Sequence, residues 1–141
     1  PLRKKFVKLV GVHFRQGDYK EYHDGQYYFS ANEICGFLRA YSETSHLDIN
    51  KTVFVVCSDG PTSIADFAGL NCIFPRGDAV SDLFTLAETD VIIGPDSTFG
   101  AFASYYGNIP YIVLEHGTVE WDYYRNKDKY FENKKNTLTH Y

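Results

Sequence analysis

Methionine is absent from this chain, tryptophan occurs once and cysteine only three times. Cys35, Cys57 and Cys72 are odd in number and widely spaced, so they build neither a disulfide framework nor a zinc site. Each sits in an apolar setting, which fits buried free thiols in a reducing compartment. No apolar run approaches the roughly 20 residues of a membrane span, and no secretory h-region opens the chain. Basic excess is missing as well: the formal net charge is -4 and the pI about 5.7. Without a basic stripe, nucleic acid is excluded as the main partner, whereas a small phosphorylated ligand needs only a few local donors. There is no GxGxxG after the first apolar run and no GxxxxGK[ST], which disfavours a dinucleotide site and a P-loop. Paired His with Glu, Asp clusters and a GxSxG elbow are also lacking, so a metal-free site is the default.

What remains is enough for one domain with a real core. The 141 residues are 44% hydrophobic, with Tyr 12 and Phe 11. The chain opens on Pro-Leu-Arg-Lys-Lys rather than on Met. It therefore reads as a segment of a longer or processed protein, with part of any active site expected elsewhere.

Hydrophobic periodicity predicts alternating strands and helices. Phe6 to Phe14 is a near-continuous apolar strand, as expected for one covered on both faces. Arg15 to Gln26 is a polar loop. Ser30-Ala-Asn-Glu33 forms a capping box, and Ile34, Phe37, Leu38 and Tyr41 then share one helical face. Thr52 to Cys57 is a second strand. Ser58-Asp59-Gly60-Pro61 ends it and opens a short helix with Pro61 in its first position and Ile64, Phe67 and Ala68 on its face. Asn71 to Phe74 is a short third strand and Pro75 to Val80 a loop. Leu83, Leu86 and Ala87 mark a helix, and Val91 to Ile93 a fourth strand. Ser97 caps a helix with an inner face of Phe99, Phe102, Ala103 and Tyr106, stopped at Gly107-Asn108. Tyr111 to Leu114 is the fifth strand. Such alternation predicts a Rossmann-like α/β fold, a parallel sheet with helices on both faces. Residues 1–117 form this domain. Residues 118–141 are a charged, aromatic tail that packs on it or on an absent domain.

In an open parallel sheet, ligands bind at the carboxyl ends of the strands. Those ends carry His13 and Arg15, Ser58 and Asp59, the loop from Arg76 to Asp82, and Gly94 to Thr98. Arg15 offers a planar fork of donors that grips phosphate oxygens and stabilises a departing diphosphate; pairing with Asp18, three residues on, is the plain structural alternative. Ser97 and Thr98 sit at a helix N-terminus, where free N–H groups favour anions, although an ordinary N-cap looks the same in sequence. His13 lies in an apolar strand, where a satisfied core residue is the ordinary case, but its ring can line a base pocket. Asp82 is a first-turn carboxylate whose two oxygens also match the paired N–H groups of a guanine edge.

Three segments together resemble a known family. VGVHFRQGDY resembles the V-G-V-H-x-R-R-G-D-Y signature of the α-1,2-fucosyltransferases. VFVVCSDG resembles their second strand, and DLFTLAETDVIIGPDSTFGAFASYYG resembles their segment around N-S-T-F-S-W-W. Order and spacing agree from about Val7 to Gly117. The pattern is more distantly similar to α-1,6- and protein O-fucosyltransferases. The resemblance implies the C-terminal, donor-binding half of a metal-independent glycosyltransferase of the GT-B type. It implies GDP-fucose as donor, no cofactor, and inverting transfer to a glycan hydroxyl presented by an absent domain. By position, Arg15 would hold the diphosphate, His13 and Asp82 would address the guanine, and Ser97 and Thr98 would be phosphate-side hydroxyls. Asp18 and Asp59 complete the expected substrate-binding set, and a cytoplasmic location follows, peripheral to a membrane at most. Gln16 stands where the signature has its second Arg, Asp96 replaces Asn, and Gly100-Ala101-Phe102 replaces Ser-Trp-Trp. Two other classes compete. A polysaccharide pyruvyltransferase-like enzyme also carries Arg-x-x-Asp after an early strand, but Ser97-Thr98-Phe99 occupies the place of its Arg-Leu-His. A nucleotide-binding or interaction module without turnover is the other.

Overall fold

Lys8–Phe14 forms the first strand (β1), buried from Leu9 onward, in the computed structural model, which describes residues 2–16 and 28–114. The strand starts later than the apolar run predicts. Leu2–Lys5, ahead of it, winds into a single helical turn (α1). Asp90 accounts for this: its carboxylate accepts the Leu9 N–H at 2.8 Å and pairs with Arg3 at 3.1 Å. Arg3 also donates to the Glu88 carbonyl at 3.0 Å. The basic turn is thereby anchored across the start of the sheet.

Thr52–Ser58 (β2) runs parallel to β1 from Lys8↔Thr52 to Phe14↔Ser58. Val91–Pro95 (β4) pairs with the other edge of β1 from Val10↔Val91 to Val12↔Ile93. Cys72–Ile73 (β3) lies outside β2, and Tyr111–Leu114 (β5) lies outside β4. The sheet is parallel throughout, in the order β3-β2-β1-β4-β5. It is a Rossmann-like arrangement, as the alternation of elements predicts.

Local chemistry explains the helices. Ala31–Thr44 (α2) begins at the capping box: Ser30 Oγ accepts the Glu33 N–H at 3.2 Å, and Glu33 Oε1 accepts the Ser30 N–H at 3.1 Å. Its Ile34, Leu38 and Tyr41 are buried, and Phe37 packs edge-on to Phe29 at 5.7 Å. Ala79–Ala87 (α3) is capped by Asp78, whose carboxylate accepts the Ser81 N–H at 2.8 Å. Thr98–Gly107 (α4) is capped by Ser97 and stopped by Asn108, a left-handed residue with φ 57°.

Strand alternation assigns the faces. A Cβ on Gly11 would meet Thr89 and Leu86 of the α3 region, and His13, on the same face, touches Phe99 of α4. Phe14 points the other way, to Phe67 at 6.2 Å, under the segment on which α2 packs. Helices therefore cover both faces, and β1 is sealed between them.

Two expectations need correction. Pro61 does not open an α-helix: Ile64–Phe67 is a short 3-10 turn capped by Ser63, with Phe67 buried and Ile64 exposed. The Pro61 carbonyl instead accepts a hydrogen bond from Gln16 Nε2 at 2.8 Å. On α4, Phe102 and Tyr106 face outward and stack on each other, while Gly100, Ala101, Ala103 and Ser104 face inward. Small residues are needed there because α4 sits close over the Tyr111 ring. A Cβ on Gly100 would overlap that ring, whose hydroxyl donates to the Pro95 carbonyl.

Two glycines in helices should consequently respond with opposite sign. Gly100→Ala is expected to destabilise by on the order of 1–3 kcal/mol, through overpacking against Tyr111. Gly36→Ala in α2, where a Cβ meets nothing within 4 Å, is expected to stabilise by roughly 0.5–1 kcal/mol. Denaturant unfolding of both variants checks the pair.

Candidate functional site

The chain leaves β1 toward β2 and β3 on one side, then crosses to β4 and β5 on the other. Such a reversal opens a crevice at the carboxyl ends of the strands flanking it. A cavity of about 180 Å³ lies at this end of the molecule. His13 and Arg15 reach it from β1, Cys57, Ser58 and Asp59 from β2, Asp82 from α3 and Phe99 from α4. A larger cavity of about 780 Å³ adjoins it, and Ser58, Asp59 and Gly77 line both.

Asp59 ties the two strand ends together. Its Oδ1 accepts the Gln16 N–H at 2.6 Å, and its Oδ2 lies 3.1 Å from Arg15 Nε. The Arg15 and Asp59 side chains are each about one third exposed (37% and 35%), so solvent screens this pair and its weight is in orientation rather than stability. Gln16 adds a second clamp: Nε2 donates to Ser58 Oγ and to the Pro61 carbonyl, both at 2.8 Å. A Cβ on Gly60 would fall 2.9 Å from the Gln16 side chain, so glycine is what lets that clamp close.

His13 is buried beside this pair. Burial, and then the Arg15 guanidinium, lower its pKa from 6.5 to about 4, partly offset by Asp59. The imidazole is therefore neutral at pH 7. It packs on Phe99 with ring centroids 4.9 Å apart, and Nδ1 lies 3.5 Å from Ser97 Oγ, a long contact. Gly94 on β4 permits this approach, since a Cβ there would come within 2.9 Å of His13 Cβ.

Asp82 is half-buried. Burial and then Asp78 raise its pKa, while a hydrogen bond with the Cys57 thiol lowers it. The Cys57 thiol is itself pushed up to about 12, by burial first and then by Asp82. It stays protonated and serves as a donor to the carboxylate. Cys72 is likewise pushed to about 12 by burial, and Cys35 is raised for the same reason, its Sγ donating to the Asp66 carbonyl at 2.8 Å. Cys35 and Cys57 are buried free thiols as expected, and Cys72 is half-buried.

Of the expected site residues, His13, Arg15, Asp59 and Asp82 meet at one cavity. Ser97 reaches it only through His13, because its Oγ accepts the Gly100 N–H at 3.0 Å as an N-cap. Thr98 is exposed and lines neither cavity. Asp18 lies outside the described residues. Asp59 was expected in the substrate-binding set, but its bridge from Arg15 to Gln16 was not. Phe99 and Cys57 were also missed, because packing partners brought in by the sheet order leave no local signal. Among the described residues no three of His, Cys, Asp and Glu converge to hold a metal ion, and no helix is long and apolar enough to cross a membrane. No family model matches the chain, and no curated protein matches it.

The neutral His13 makes stability depend on pH with a defined sign. Its folded pKa lies below the unfolded one, so the unfolded chain binds the extra proton. Stability from this group is intact above about pH 6.5 and falls as pH drops toward 4. The loss at pH 5 is on the order of 2 kcal/mol. Stability curves of the parent and His13→Gln should therefore diverge between pH 7 and 4; parallel curves would show that His13 is not held neutral.

Proposed function

We propose that this chain is the donor-binding half of a fucosyltransferase-like glycosyltransferase, taking GDP-fucose and passing fucose to a glycan hydroxyl with inversion. The observation that carries the reading is the convergence of His13, Arg15, Asp59 and Asp82 on one cavity at the carboxyl end of the sheet. Those positions belong to the segments that resemble the α-1,2-fucosyltransferases, and an open parallel sheet puts its ligand there.

The chemistry follows from the residues. An acceptor hydroxyl attacks the anomeric carbon as GDP departs, and negative charge grows on the diphosphate. Arg15, oriented through Nε by Asp59, is the cation placed to stabilise it. The neutral ring of His13, tilted at 39° on Phe99, offers a wall for a base. Asp82 accepts from N–H donors, which suits the guanine edge. The reading calls for no metal, with Arg15 as the cation that addresses this charge. No general base is assigned; by spacing in the sequence Asp18, three residues after Arg15, is the nearby candidate. The acceptor binds a domain outside this chain, and a cytoplasmic location goes with the reading.

A second reading, a nucleotide-binding module without turnover, is favoured by Gln16. A neutral carboxamide, with its donors engaged by Ser58 and Pro61, occupies the position of the signature's second cation.

Calorimetric titration of the chain with GDP, ADP and UDP is expected to show preferential GDP binding; equal affinity for all three, or none, rejects the donor assignment. In the full-length enzyme, Arg15→Ala should lower GDP-fucose turnover by about two orders of magnitude or more, on the order of 3 kcal/mol of transition-state stabilisation. Wild-type turnover in that variant would remove Arg15 from the catalytic role.

A further inference from the structure

The larger cavity contains a charge that the proposed donor chemistry leaves without a task. Arg76, in the loop between β3 and α3, is exposed and lines the 780 Å³ cavity beside Asp59 and Thr62. Among the described residues, Arg15 and Arg76 are the only Arg or Lys residues lining these two adjoining cavities. Ser58, Asp59 and Gly77 are common to the walls of both cavities.

Three observations define what this second cation could do. Gln16 brings no charge to the site, and its Nε2 is bound to Ser58 and Pro61. The Asp59 carboxylate, which would otherwise repel an anion, already faces Arg15 and the Gln16 N–H. Within the smaller cavity Asp82 repels phosphate, so a neutral, N–H-bearing ring belongs there, and the charged part of a ligand is directed outward past Asp59. The loop is packed on either side of Arg76. Phe74 packs on Phe67 with centroids 5.5 Å apart, Pro75 restricts the backbone, and a Cβ on Gly77 would fall 2.9 Å from Ser81 Cβ, so the loop lies tight on the start of α3.

We propose that Arg76 forms a second anionic subsite, which takes the distal phosphate of a nucleoside diphosphate whose proximal phosphate faces Arg15. The inference rests on the nucleotide reading above and supplies the cation missing at Gln16 from a different loop. A guanidinium is suited to this because its fork matches phosphate oxygens and it stays charged at any working pH.

The test is a titration of parent, Arg76→Gln and Arg76→Lys with GDP and with GMP, and with ADP and UDP as controls. Arg76 is exposed, and equal thermal midpoints establish that the variants fold. Arg76→Gln should weaken GDP about tenfold and GMP less than about twofold, because only the diphosphate reaches the subsite. Arg76→Lys should retain part of the GDP affinity. Unchanged GDP affinity in Arg76→Gln, or equal weakening of GDP and GMP, overturns the subsite while the donor reading stands. The same Arg76-dependent step for ADP and UDP upholds the subsite and removes the guanine preference. Absence of any nucleotide binding to the parent overturns both.

Discussion

A parallel strand with neighbours on both edges and helices on both faces has nowhere to put a polar side chain until it ends. β1 is that strand. β2 pairs along its whole length, β4 pairs with Val10 to Val12, the Asp90 carboxylate takes the Leu9 N–H, and from Leu9 to Phe14 its side chains are buried. His13 is buried near the end of this run and Arg15 is the first residue beyond it, so between Lys8 at the start of the strand and Arg15 past its end there is no charged side chain. Everything the site uses is referred to that edge. Asp59 comes from the equivalent edge of β2, and the register Phe14↔Ser58 makes the two strand ends level.

Level strand ends let a short carboxylate do two jobs. Asp59 receives a backbone N–H from Gln16 and a guanidinium nitrogen from Arg15, so one group sets both the path of the chain after β1 and the direction of the arginine. The Gln16 carboxamide reinforces the same junction from the other side. A neutral residue at 16 thus has a structural explanation: its two contacts are to a hydroxyl and a carbonyl, which a carboxamide suits.

Close approach is the other constraint. Gly94 lets β4 come up against His13, and Gly100 lets α4 settle over Tyr111. Small residues on the inner side of α4 turn Phe102 and Tyr106 outward, where Tyr106 also meets Phe84 of α3 edge-on at 5.2 Å. Aromatic residues at helical spacing looked like a core face. They are the outer face, because a helix lying this close to a sheet has no room for rings beneath it. The one ring that does lie inward, Phe99, is at the helix start, where the sheet edge leaves space beside His13.

Periodicity and capping chemistry determined the element order, the capping box at Ser30, the stop at Asn108 and the parallel α/β class, because each rests on residues within a few positions of one another. The same local logic identified His13, Arg15, Asp59 and Asp82 as strand-end or helix-start residues. Which strand lies beside which, and hence which of these residues share a cavity, came only from the tertiary structure. So did the partner of Arg15, since Asp59 is distant in sequence and adjacent only through the register of β1 and β2. The inner face of α4 was decided in the same way, by a ring on β5 that no local spacing could reveal.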